Sequence, residues 1–127
     1  MIRRNILSIF IALIILYLSL TGSDTFDKVP LFNIPHLDKI VHFLMYAGLM
    51  TVILFENRKI LILQSQILFA ALIPFFYGIL MELLQASLTD TRSGNIYDAL
   101  FNTSGIIAAV LIWFFIKPFL FRKSDCK

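Results

Sequence analysis

Cysteine occurs once in this chain, at Cys126. A single thiol excludes an intramolecular disulfide framework and any cysteine-based metal centre, and its position in the C-terminal tail reads as a free, reduced thiol. Charge is nearly as scarce. Charged residues make up 15% of the 127 positions, against about a quarter in an average soluble domain. The familiar catalytic signatures are missing too: there is no HExxH, no GxSxG, no phosphate-binding glycine loop and no cysteine placed to act as a nucleophile. No internal repeat, low-complexity tract or stretch with the composition of a soluble domain is found either.

Apolar residues fill the space. They are 59% of the chain, with 13 Phe, and the mean hydropathy is +0.86. Four runs, residues 5–20, 39–55, 67–86 and 96–116, are long enough or nearly long enough to cross a hydrocarbon core of about 30 Å. They are continuously apolar, whereas the strands of a membrane barrel alternate. The expected fold is therefore all-α, a polytopic membrane protein with four transmembrane helices forming a single domain over residues 1–127.

The net charge of +3 is explained by where the charges lie rather than by nucleic acid. Arg3, Arg4, Arg58, Lys59, Lys117, Arg122, Lys123 and Lys127 would share one side, which leaves only Lys28, Lys39 and Arg92 on the other. The positive-inside rule then places both termini in the cytoplasm. The first run also resembles a secretory signal peptide, with Arg3 and Arg4 before it and small residues after it. A retained anchor is the reading adopted, because those small residues make a poor cleavage site. Pro30 and Pro35 break the first external loop, Asp38 can cap the second helix, and the third helix can begin early, since Gln64 and Gln66 are tolerable near the interface. Pro74 predicts a kink in the third helix, and Trp113 an aromatic anchor near the cytoplasmic interface.

Alternating helix directions set the depth of each polar residue. Asp38 and His42 on the second helix, Glu82 and Gln85 on the third, and Asp98 and Asn102 on the fourth then fall at one level, near the external face, with Arg92 in the loop between. Spacing sharpens the pattern. Asp38, His42 and Tyr46 share one helix face, Gly78, Glu82 and Gln85 another, and Asp98, Asn102 and Gly105 a third. Small residues let membrane helices approach closely. Turning these faces together makes an exofacial polar pocket closed below by Phe, Leu and Met. Helix three tolerates its acid, because eleven Leu, Ile and Phe residues at about −0.3 to −0.6 kcal/mol each outweigh a cost of at most about 3 kcal/mol.

Each of these residues also has a plainer structural role open to it. Asp38 can cap a helix, Asp98 can serve a cap begun by Asn95, Lys39 can snorkel to headgroups, Tyr46 can fill the core, and Arg92 can pair with Asp98 or Glu82. Neither His42 nor Glu82 can cap a helix where it sits. Those two are the candidate catalytic pair, with Asp38, Lys39, Tyr46, Gln85, Arg92, Asp98 and Asn102 as ligand-binding candidates.

Asp38-Lys39-x-x-His42-x-x-x-Tyr46, with Gly78-x-x-x-Glu82-x-x-Gln85, Arg92, Asp98, Asn102 and Gly105, resembles the signatures of the VanZ-like family of small bacterial membrane proteins. The likeness covers about residues 8–116 and departs at Ala109, where many relatives have a second glycine. It implies a multi-pass protein of the bacterial plasma membrane, related to an accessory protein of resistance to teicoplanin, a lipid-bearing glycopeptide. It implies no established reaction, and the cofactor is left unknown.

Three functions stay open on the residues. Arg92 and Lys39 could hold the anionic headgroup of a lipid-linked cell-wall intermediate or lipoglycopeptide, with Phe-rich walls around its tail. His42 and Glu82 could instead work as an acid–base pair, or Asp38, His42, Glu82 and Asp98 could hold a divalent ion. The polar residues could also simply tie helix ends together. Membrane lipids are partners in every case.

Overall fold

The computed structural model describes residues 4–21, 37–88 and 96–121. These form four helices, α1 (Ile6–Leu20), α2 (Leu37–Glu56), α3 (Gln64–Leu88) and α4 (Ile96–Phe121), and no strand occurs among the described residues. Helix is the form that satisfies every backbone group within one apolar segment. α2, α3 and α4 contain 20, 25 and 26 residues, about 30–39 Å at 1.5 Å per residue. Each is long and apolar enough to cross a membrane. α1 has 15 residues, about 22 Å, and so is a shorter apolar helix beside three of spanning length.

The ends differ from the sequence expectations in instructive ways. Asp38 lies inside the first turn of α2 rather than before it, where its charge meets the positive end of the helix dipole. Asp98 lies in the first turn of α4, and Asn95 falls outside the described residues. α3 does begin early, at Gln64. Gln66 Oε1 accepts from the backbone N–H groups of Ile62 and Leu63, both at 3.0 Å, which is the third-position half of a capping box. α4 continues through Pro118, and Lys117 Nζ donates to the Ile62 carbonyl at that end.

Neighbouring helices alternate in direction. α2 and α4 are parallel and make the most extensive contact: His42 meets Asn102, and the backbone of Phe43 and Ala47 meets Gly105. α1 and α3 are parallel as well, because the Tyr77 hydroxyl donates to the Ala12 carbonyl at 2.6 Å and Gln85 Nε2 to the Ser19 carbonyl at 2.9 Å. The start of α1 meets the end of α2. The Glu56 carboxylate accepts from the backbone N–H of Leu7 at 2.9 Å and of Ser8 at 3.1 Å, and from the Ser8 hydroxyl. Asn5 supplies no side-chain cap of its own, so an acid on another helix stabilises this N-terminus. Asn57 Nδ2 donates to Asn5 Oδ1 at 3.0 Å, and Arg4 Nε to Asn57 Oδ1 at 3.1 Å.

The core is formed by Leu49, Met50, Ile53 and Leu54 of α2, Ile67 and Met81 of α3, Ile106, Ala109 and Val110 of α4, and Ile15 of α1. Phe69, Phe76, Phe115 and Phe119 stand on the outer surface, where lipid is their natural neighbour. Trp113 corrects the expectation of an interfacial anchor. Its ring is 3% exposed and packs edge-on against Phe55 with centroids 5.1 Å apart. It lies two four-residue steps beyond Gly105 on the stripe that faces α2, and this turns it inward.

Three glycines provide an internal comparison. A Cβ at Gly105 would stand 2.3 Å from the Phe43 carbonyl oxygen and 3.1 Å from the Ala47 nitrogen; at Gly78 it would meet side chains alone, the Tyr46 ring at 3.2 Å and Asn102 Nδ2 at 3.5 Å; at Gly48 it would meet nothing within 4 Å. In melting experiments in detergent, Gly105→Ala is expected to destabilise by about 1–3 kcal/mol and Gly78→Ala by about 1 kcal/mol. Gly48→Ala is expected to stabilise by roughly 0.5–1 kcal/mol through helix propensity alone. Equal effects at positions 48 and 105 would contradict the close α2–α4 approach.

Candidate functional site

The first turns of α2 and α4 and the last turns of α3 lie at one end of the bundle, because α2 and α4 run against α3. Residues four apart on α2 place Asp38, His42 and Tyr46 in one column. Asp98 and Asn102 form the matching column on α4, and Gly78, Glu82 and Gln85 that on α3. His42, Tyr46, Glu82, Gln85, Asp98 and Asn102 are all buried. Asp38 is the open member, with its side chain 52% exposed.

His42 is the centre of the arrangement. Its Nδ1 donates to Asn102 Oδ1 at 3.1 Å, because an amide oxygen can only accept. On the Nδ1 side, Glu82 Oε1 lies at 3.9 Å; on the Nε2 side, Asp38 Oδ1 lies at 3.8 Å. Both approaches are longer than a hydrogen bond. Asp98 joins them: Asp38, His42 and Asp98 each offer one ligand atom, all within 4.8 Å of one another.

Below this level Gly78 leaves room for its neighbours. The Tyr46 ring and Asn102 Nδ2 stand 3.2 Å and 3.5 Å from the place where its Cβ would be. The Tyr46 hydroxyl and Asn102 Nδ2 are buried and make no hydrogen bond among the described residues. Leu49, Met50, Met81 and Ile106 form the apolar floor.

Two expected ligand-binding residues have other contacts. Gln85 gives its amide nitrogen to the Ser19 carbonyl and so joins α3 to α1. Lys39 Nζ sits over the Tyr97 ring, 5.2 Å from its centroid, a cation–π contact between α2 and α4. Arg92 lies outside the described residues. The structure also has two cavities away from the cluster. One, of about 260 Å³, lies among α1, α2 and α3 and is lined in part by Ser8, Ile53, Pro74 and Tyr77. The other, of about 590 Å³, is lined by Lys59, Ile62, Lys117 and Pro118.

Sequence reasoning missed Ser8, Ser19, Glu56 and Tyr77. A signal for the first two was present. Ser8, Ala12, Ile15 and Ser19 are spaced four, three and four apart, a small-residue stripe along one face of α1, and Ser8, Ile15 and Ser19 are the buried residues of that helix.

The model of a family described as VanZ/LLP1 matches residues 4–117. No curated protein and no solved structure matches the chain.

The contact of Gln85 with α1 predicts a loss of stability. Gln85→Leu strands the buried Ser19 carbonyl and is expected to cost about 1–3 kcal/mol in detergent melting, with faster proteolysis of α1. A Gln85→Leu variant as stable as the parent would show that this bond does not hold α1 in place.

Proposed function

The chain belongs to the VanZ/LLP1 family, and on that premise we propose that it is a four-span, single-domain protein of the bacterial plasma membrane, with both termini cytoplasmic, whose polar cluster binds the anionic headgroup of a lipid-linked cell-envelope molecule. The lipoglycopeptide teicoplanin presents the same pairing of polar head and acyl tail, and protection against it is the physiological role this reading suggests.

One observation carries the proposal: His42, Asn102 and Glu82 come together from three helices at one end of an otherwise apolar bundle. Ionisable groups in membrane segments are costly and mark sites of function by default. Counted along the sequence, eight of the eleven basic residues belong to the segments that flank the opposite helix ends, and on that count the positive-inside rule turns the cluster outward. Lys28, Lys39 and Arg92 are the basic residues that the sequence leaves for the cluster's side, and arginine suits phosphate through its forked donors. The exposed Phe and Leu faces supply the surface for a tail. α1 completes the fourth span by local thinning of the bilayer or by its flanking residues, each at modest cost. Its bonds to α2 and α3 suit a retained helix rather than a cleaved signal.

A second reading has its own observation. Glu82 stands 3.9 Å from the His42 ring, and a small shift would bring the two into proton-transfer distance as acid and base toward a bound headgroup.

Native mass spectrometry of protein extracted in mild detergent is expected to find an anionic lipid, with polyprenyl phosphate as the leading class, and to lose it in Arg92→Gln. His42→Gln, Glu82→Gln and Arg92→Gln are expected to keep near-parental abundance and melting temperature. Collapse of all three would reduce the cluster to a structural tie. A membrane-impermeant maleimide is expected to label Cys126 only after the cells are permeabilised; labelling in intact cells would reverse the orientation.

A further inference from the structure

The geometry points to a divalent-metal site formed by Asp38, His42 and Asp98, with zinc as the ion its donors suit best. One ligand atom of each side chain lies within 4.8 Å of the others. Two donors come from the first turns of α2 and one from the first turn of α4. The backbone contact at Gly105 holds these two helices at a common level.

Carboxylates gathered at helix ends do not by themselves make a site; the independent observation is the orientation of His42. The residue is 3% exposed, and its Nδ1–H is committed to the Asn102 carbonyl oxygen at 3.1 Å. Nε2 makes no hydrogen bond among the described residues and faces Asp38 Oδ1 at 3.8 Å. Two such groups call for a cation between them, either a second ring proton or a metal ion, and Asp98 within 4.8 Å supplies the further donor that a metal ion uses. Metal-binding histidines have this form: one nitrogen binds the ion, while the other donates to a carbonyl or carboxylate that fixes the tautomer. Asn102 is then a positioning residue.

The fit requires little movement. Zinc–nitrogen and zinc–oxygen distances are about 2.0–2.2 Å, so two donors on one ion stand at most about 4.4 Å apart. The 4.8 Å span of the ligand atoms exceeds this by a few tenths of an ångström, an adjustment within reach of side-chain rotation, which is freest at Asp38, 52% exposed at the helix end. One imidazole with two carboxylates suits zinc or manganese better than calcium or magnesium, which prefer oxygen alone. Glu82 is not among the ligands, because it approaches the ring from the Nδ1 side at 3.9 Å. Three protein ligands leave a position open, and a phosphate oxygen is the donor a bound headgroup would place there. The site deepens the headgroup-binding reading and rests on it for its role, though not for its existence.

The test uses full-length protein purified without a polyhistidine tag, stripped with a chelator, and titrated with zinc, manganese and magnesium by calorimetry, with elemental analysis for stoichiometry. One zinc per chain is expected. Asp38→Asn, at an exposed position that leaves packing alone, should weaken zinc binding at least about tenfold, and Asn102→Ala about 10–100-fold. Glu82→Gln should leave it unchanged. Failure to bind either zinc or manganese stoichiometrically, or undiminished binding in both Asp38→Asn and Asp98→Asn, overturns the site. Anionic lipid that stays bound to protein taking up no metal overturns the site and leaves the headgroup reading standing. One zinc per chain with no lipid bound sustains the site and removes that reading.

Discussion

The contact between the α4 backbone at Gly105 and the α2 backbone at Phe43 and Ala47 is the constraint from which the rest of the arrangement follows. Two helices meeting backbone to backbone cannot slide or roll without a clash, so the contact fixes their register. His42 then faces Asn102, sixty residues later, and Phe55 faces Trp113 on the same stripe. A slip of one residue turns a helix by about 100° and would carry Asn102 away from the imidazole. The hydrogen bond at the top of the pair therefore depends on the absence of a side chain one turn below it.

α1 is held on different terms. Among the described residues it has no close glycine contact, and its hold on the bundle comes from polar bonds to backbone groups at three levels. Glu56 satisfies the N–H groups of its first turn, Tyr77 reaches the Ala12 carbonyl, and Gln85 reaches the Ser19 carbonyl. A 15-residue helix in a low-dielectric setting has little apolar area to spare, and each of these bonds is worth more there than in water. Small residues on the facing stripe bring the α1 backbone within reach of these side chains.

Much of this was legible in the sequence, and the limits are physical. Four apolar runs announced four helices, and four-residue spacing announced which polar side chains would share a face; Asp38, His42, Glu82, Asp98 and Asn102 could be gathered by that reasoning. Spacing gives a face but not its partner. Gln85 shares a face with Glu82, yet the rotation of α3 aims it at α1, and nothing in a period of 3.6 records that rotation. Trp113 near a helix end reads as an interfacial anchor until the Gly105–Ala109–Trp113 stripe is known to face α2. Glu56 followed an apolar run and looked like the start of a loop, because capping another helix requires knowing which N-terminus lies beside it. Ser8 and Ser19 are nearly invisible in a hydropathy profile, although their spacing with Ala12 and Ile15 marks the buried face.

The protein also contains its own standard for what a structural polar contact looks like. At the α1 interfaces, Tyr77 and Gln85 donate at 2.6 and 2.9 Å to backbone carbonyls, and the Glu56 carboxylate takes two backbone donors at 2.9 and 3.1 Å. Those contacts are short and direct. The contacts of His42 among the described residues are different: one bond of ordinary length, to Asn102 at 3.1 Å, and two approaches of 3.8 and 3.9 Å to carboxylates. The Tyr46 hydroxyl and Asn102 Nδ2 make no hydrogen bond among the described residues, and neither do the Ser19 hydroxyl at the α1 interface and Trp113 Nε1. Each such group is costly where water is excluded, so an orphaned atom alone does not separate a site from a tie. What sets the His42 level apart is that two carboxylates approach one buried imidazole at distances just beyond a hydrogen bond, and that spacing leaves room between the side chains for another atom.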